Sequence, residues 1–286
     1  MAYKLVLSKL KKTVLTSFPL GFGVFPRRIS IAVNSTCNLR CAMCDIGQCK
    51  EDFQFFKNIK VGDELSFDVL KNLINDVKFF YPSIVVNATE PLLYKDILPF
   101  VSYVSQNRLR CDVITNGYLL SSFARALIKA ELNSLCVSID GPPKVHNKVR
   151  GVSDSFERAY RGIQKIMETK RRLKTKKPRV YVIYTIAEYN YDCLYETASL
   201  LKSTGINGIR FNYLNFITKH MAREHNAKYG HLFKVSPSSV SIVNLLNIDE
   251  NVLSNQVNLV KSKYPGFAKF PLDLSTPSEL KLYYKT

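Results

Sequence analysis

Short apolar runs of strand length alternate with segments of helical period through most of this 286-residue chain, and that rhythm narrows the possible folds more than any other feature. The run 29–33 leads into a long loop, after which Leu65, Val69, Leu70, Leu73, Ile74, Val77 and Phe80 recur at helical spacing. Further strands are predicted at 84–86, 113–114, 135–139, 180–186 and 208–211, with helices at 93–104, 123–130, 154–172 and 192–202 between them. The helix at 154–172 is the best marked. Asp154 stands as N-cap with Glu157 three residues on, Phe156, Tyr160, Ile163 and Met167 form its apolar stripe, and 170–172 are basic. Six strands separated by helices predict an α/β fold with a parallel sheet. A hydrophobic content of 46% is enough for a core and excludes a disordered chain.

Polar motifs fall where these strands end. Cys37-x-x-x-Cys41-x-x-Cys44 follows the first strand, Asn87-Ala88-Thr89-Glu90-Pro91 the second, Thr115-Asn116-Gly117 the third and Ser138-Ile139-Asp140-Gly141 the fourth. In a β/α barrel the loops at the C-terminal strand ends converge on one mouth, so these four segments are expected on a common rim. Three thiolates can grip three irons of a [4Fe-4S] cube and leave the fourth iron open to a ligand. Cysteines at similar spacing also hold structural zinc, and a tetrahedral zinc site would recruit Cys49 as its fourth ligand. A zinc knuckle gives no reason for the other three motifs, so their common rim favours the iron cluster.

The cysteine spacing, the N-A-T-E-P, T-N-G and S-x-D-G segments and the strand–helix order together resemble the radical S-adenosylmethionine (SAM) family, in its SPASM/twitch-like branch, over residues 29–215. The resemblance implies a partial (β/α)6 TIM-like barrel in which Cys37, Cys41 and Cys44 bind [4Fe-4S] and SAM chelates the open iron. It further implies reductive cleavage of SAM to a 5'-deoxyadenosyl radical. Met43 stands where the family usually carries an aromatic residue near the adenine, and a soft thioether can pack there. The family's Gly-Gly-Glu-Pro segment, which meets the SAM amino group, is represented by Ala88, Thr89, Glu90 and Pro91, with both glycines replaced. Ser138 and Asp140, two residues apart and expected on one face of one strand, suit the ribose hydroxyls, with Asn116 assisting from the neighbouring strand. Asn190 and Asn212 are further candidates. The segment 146–151 resembles a loop of the same branch that carries His and Arg. In it Arg150 either meets the SAM carboxylate or pins the chain where the next helix begins.

The remaining readings concern partners and boundaries. With 41 basic against 23 acidic residues the net charge is +18, which suits an acidic electron donor of the flavodoxin or ferredoxin type, steered by its field. Nucleic acid is a less favoured partner, either for an RNA-modifying radical SAM enzyme or for a zinc-stabilised basic binding protein without catalysis. A peptide or small metabolite is the expected substrate. No apolar run approaches the roughly 20 residues of a membrane span, no secretory signal is visible, and a cytoplasmic setting is expected for the seven cysteines. Cys111, Cys136 and Cys193, scattered singly, read as core residues. No phosphate-cradling Gly-x-x-x-x-Gly-Lys segment occurs, so nucleoside triphosphate use has no sequence support. Residues 1–28 read as a basic extension, 29–215 as the core barrel, and 216–286 as a prolyl-rich, loosely ordered extension lacking the cysteines of an auxiliary-cluster module. Either a single cluster is used or a downstream module is missing.

Overall fold

The computed structural model describes residues 25–48, 59–238 and 243–285. The expected basic extension therefore lies largely outside the described residues, as does Cys49. One parallel sheet runs in chain order through β1 (Arg28–Ile31), β2 (Ser83–Val86), β3 (Arg110–Thr115), β4 (Ser134–Ser138), β5 (Arg179–Ile186), β6 (Gly208–Tyr213) and β7 (Ala268–Lys269). The sheet begins at β1 and ends at β7, so it is a partial barrel with a seventh strand beyond the six expected. Helices α1 (Phe67–Val77), α2 (Ile97–Gln106), α3 (Leu120–Lys129), α4 (Pro143–Arg150), α5 (Ser155–Arg172) and α6 (Leu194–Lys202) fill the crossovers. They are followed by α7 (Lys219–Tyr229), α8 (Glu250–Lys263) and α9 (Pro277–Lys285). None of the described helices is long and apolar enough to cross a membrane.

The two faces of the sheet differ sharply. Along β5, Val180, Val182, Tyr184 and Ile186 are buried against the helices, whereas Arg179 is exposed and Tyr181, Ile183 and Thr185 are only half-buried on the other face. The same alternation gives Cys111, Val113 and Thr115 to the core and Arg110, Asp112 and Ile114 to the concave side of β3. Side chains alternate with period two, so each strand has one face turned to the helices and one to the lumen. A closed barrel would fill that lumen with packed side chains. Here it stays open, and Cys136, expected in the core, is half-buried on the concave face in register with Tyr181.

Local signals explain most element ends. The Ser66 side chain accepts a hydrogen bond from Val69 N at the start of α1, as an N-cap should. Asp154 does occupy the N-cap position of α5, but its carboxylate binds Arg158 instead of a backbone N–H. The segment expected as a loop at 146–151 is instead the second half of α4, closed by Gly151 in the left-handed conformation at φ 72°.

The reading of 216–286 as loose connections is corrected. β7 pairs in parallel with β6, α8 packs on α6, and Leu253, Val257, Val260 and Leu280 are fully buried. Hydrogen bonds from Tyr283 Oη to Leu214 O (3.2 Å) and from Tyr284 Oη to Ile186 O (3.3 Å) fasten α9 to the C-terminal ends of β5 and β6. The helical spacing at 253, 257 and 260 carried this information, but the surrounding prolines drew the reading toward loops, and a two-residue strand leaves almost no pattern.

Candidate functional site

The four rim motifs do converge. The loop after β1 is stitched to the loop after β2: Asn87 N donates to Ile31 O (3.1 Å), Glu90 N to Thr36 O (3.2 Å) and Asn34 Nδ2 to Glu90 O (3.0 Å). Thr89 Oγ1 donates to Asn34 O at 2.9 Å and also lies against Asn34 Oδ1. On the other side α4 holds the cysteine loop, with Arg40 N donating to Arg150 O (3.2 Å) and Ala42 N to Val149 O (2.8 Å). A Cβ at Gly151 would stand 2.7 Å from Arg40 O, so only glycine lets the end of α4 approach this closely.

Within this frame each cysteine sulfur has its own donor. Gly47 N stands 3.3 Å from Cys44 Sγ, Arg150 Nη1 3.6 Å from Cys41 Sγ and Asn116 Nδ2 3.9 Å from Cys37 Sγ. Such donors stabilise thiolates more than thiols. Burial pushes the Cys41 thiol up to about 11 although Arg150 opposes it, and burial raises Cys37 as well. Cys37 and Cys44 each add to the shift at Cys41, which puts the three sulfurs within one another's field. Among the described residues no three His, Cys, Asp or Glu side chains close around a single point as the ligands of one metal ion would. The ligand assignment therefore rests on the motif, on its place at the mouth and on the sulfur donors. These features fit thiolates bound to electron-poor metal, which want compensating N–H donors around the sulfurs.

Glu90 is fully buried and fully used. Its Oε1 accepts from Thr115 Oγ1 (2.6 Å) and Leu92 N (3.0 Å), and its Oε2 from Asn116 N (2.7 Å). Burial raises its pKa while these three donors work in the opposite sense. The carboxylate thus locks the end of β3 to the loop after β2, and the parts of that loop with polar groups to spare are the main-chain carbonyls around Ala88 and Thr89. Ala88 adopts φ 86°, a conformation that glycine takes without cost. The chain has kept the glycine-like backbone where the family's glycines are replaced.

The expected pairing of Ser138 and Asp140 on one strand face is corrected. β4 ends at Ser138, which is half-buried on the concave face, and Asp140 lies beyond the strand with no exposed surface. Its Oδ1 accepts from Thr185 N (2.8 Å), and its Oδ2 forms an ion pair with Arg150 Nη2. Burial raises Asp140, and Arg150 and the Thr185 N–H act against that. His146 Nδ1 accepts the Asp140 N–H at 3.0 Å, and burial keeps this imidazole neutral. Arg150 pairs with Asp140 and stands near Cys41 Sγ, a contact with the cysteine loop that the sequence did not suggest.

The remaining candidates divide. Asn190 is buried and donates to Asp140 O and Thr185 O (both 2.9 Å), so it closes the end of β5, whereas Asn212 is half-buried on the concave face. Met43, within the cysteine loop, is buried and joins the core. Asn34, which ties the first two loops together, is not among the candidate site residues of the sequence; its place directly after strand one is the signal that could have found it.

Comparison with known proteins agrees with this geometry. A model of the Radical SAM superfamily matches residues 31–201. The chain is 31% identical over 134 residues to an Fe-coproporphyrin III synthase of Methanosarcina barkeri, covering 46% of this chain and 32% of that protein. It is 28% identical over 149 residues to a probable GTP 3',8-cyclase of Methanococcus maripaludis, covering 51% of this chain and 48% of that protein. The chain thus spans 32% to 48% of the length of these curated relatives. Among solved structures, SuiB of Streptococcus suis bound to S-adenosylmethionine has the same fold, with TM-score 0.61 at 16% identity over 92% of this chain and 52% of SuiB. With 171 consecutive residues matched (201 − 31 + 1), more than half of its 286, the chain belongs to the Radical SAM superfamily.

Proposed function

We propose that Cys37, Cys41 and Cys44 hold three irons of a [4Fe-4S] cluster, that SAM binds at the fourth, and that the chain uses the resulting 5'-deoxyadenosyl radical to take hydrogen from a small metabolite or peptide. Family membership supports the cofactor pair. The bound cluster supplies the single electron that SAM cleavage needs. The chain's own residues bind and orient. The main-chain carbonyls of Ala88 and Thr89 accept from the SAM ammonium, with Glu90 fixing their loop from beneath. Asn116 and Ser138 offer hydrogen bonds to the ribose, and Met43 packs near the adenine. Asp140 acts through Arg150 and not by direct contact. The open concave face receives the substrate, and the covered outer face keeps water from the radical.

One observation carries the reading: three sulfurs on one loop are each met by an N–H donor from a different part of the mouth. The names of the curated relatives, a GTP cyclase and a coproporphyrin synthase, support a small metabolite over a peptide. An acidic flavodoxin or ferredoxin in the cytoplasm fits as electron donor to a chain of net charge +18. Anaerobic purification tests the proposal. Brown protein with about four irons, forming 5'-deoxyadenosine from SAM and dithionite, supports it, with Cys41→Ala abolishing the product and Cys49→Ala retaining it. One tightly held zinc, with folding lost in Cys49→Ser, identifies a structural zinc protein instead.

A further inference from the structure

The concave face of the sheet carries more positive charge than its fold requires. Arg28 on β1, Arg110 on β3, Arg179 on β5 and Arg210 on β6 are all exposed there, and among the described strand residues of that face Asp112 is the one carboxylate. Arg110 already takes that carboxylate, with Nε 3.0 and 3.1 Å from its two oxygens and Nη2 2.7 Å from Ser134 Oγ. Arg179 lies over the Tyr181 ring at 5.9 Å. Among the described residues neither Arg28 nor Arg210 forms an ion pair.

These two arginines stand on strands separated by four others, on the same concave face, and both lie near enough to Cys136 for their charges to act on it. Cys136 on β4 feels both: burial and Asp112 push its thiol up to about 11, while Arg210, Arg28 and Arg110 all act to lower it. Guanidinium groups turned toward one open lumen with few carboxylates to share are suited to carboxylate or phosphate oxygens. Solvated basic faces are common on an outer surface, where charges spread apart. A concave face that must receive the substrate is a different setting, because low-dielectric walls focus the field.

We propose that this patch, centred on Arg28 and Arg210, binds anionic groups of the substrate, carboxylate or phosphate, on the floor of the lumen. The inference rests on the catalytic reading above for the word substrate, and on the arginines alone for the anion site. At a rise of about 3.3 Å per residue, Arg210 lies two residues, or about 7 Å, below Asn212, and Arg28 lies about 10 Å below the end of β1. The substrate is therefore elongated, with its negative groups about 7 to 10 Å from the carbon presented at the mouth.

The test measures binding to the cluster-loaded chain, without SAM, of inorganic tripolyphosphate and of a tetraglutamate peptide. The two probes distinguish phosphate from carboxylate recognition. Arg28→Gln and Arg210→Gln should each weaken the preferred probe about tenfold, with circular dichroism unchanged, while the paired outer-surface change Arg171→Gln/Arg172→Gln leaves affinity as it was. Binding that falls as much in the outer-surface variant, or that ignores Arg28 and Arg210, overturns the assignment. So does a single-stranded RNA held through these arginines more tightly than either small probe. A chain that binds the probe as described but makes no 5'-deoxyadenosine sinks the catalytic reading and keeps the anion site. A chain that makes 5'-deoxyadenosine with affinity indifferent to Arg28 and Arg210 sinks the anion site alone.

Discussion

Arg150 joins the fourth strand to the cysteine loop: one terminal nitrogen pairs with the fully buried Asp140, and the other stands 3.6 Å from the Cys41 sulfur. Breaking one side of a buried pair leaves the other charge without compensation, so Arg150→Met is expected to cost about 3–5 kcal/mol. Arg150→Met/Asp140→Leu should cost clearly less than the sum of the two single changes, since no charge is then stranded. Urea denaturation of the four chains measures this, and strict additivity would contradict the coupling.

Glu90→Gln keeps the shape of the side chain but turns an amide NH2 toward one of the donors from Thr115, Leu92 and Asn116. The expected loss is about 1–3 kcal/mol, with faster hydrogen exchange at the amide of Asn116. Unchanged protection at that amide would show that the carboxylate does not hold the end of β3.

Ala88→Gly relieves a left-handed backbone at φ 86°. The strain removed is about 1–2 kcal/mol, and the added freedom of the unfolded chain takes back about 0.4–1 kcal/mol. A net gain of about 0 to 1.6 kcal/mol is expected, read as a higher melting temperature. A lower one would place Ala88 in an unstrained turn.

How much of this was legible beforehand depended on pattern length. Strands such as β5, with four buried residues at period two, and helices such as α5, with a stripe and a basic end, carry their own signals and came through in the sequence. The rim motifs did too, because each is a short polar segment following an apolar run. The roles of Glu90 and Asp140 did not. Both are ionisable residues in a motif, which reads as ligand chemistry, and only burial reveals that their oxygens are already taken by Asn116 and Arg150. The basic concave face was invisible for another reason: Arg28 and Arg210 are 182 residues apart in sequence (210 − 28) and share a face only once β1 and β6 take their places in one sheet.

The seventh strand offers a check on the part of the fold that pattern reading missed. A Cβ at Gly208 would lie 2.6 Å from Phe267 O, in the strand connection that brings β7 against β6. Gly208→Ala should cost about 1–3 kcal/mol by forcing this close approach apart. Limited proteolysis should then release the segment that follows residue 263 sooner than in the parent chain. Equal resistance would mean that β7 is not held by the sheet edge.

The most direct measurement is electron paramagnetic resonance of the anaerobically reconstituted, dithionite-reduced chain, with and without SAM. A reduced [4Fe-4S] signal is expected whose shape changes when SAM is added, lost in Cys41→Ala and intact in Cys49→Ala. A spectrum indifferent to SAM, or a cluster that vanishes equally when Cys49 is replaced, would contradict that expectation.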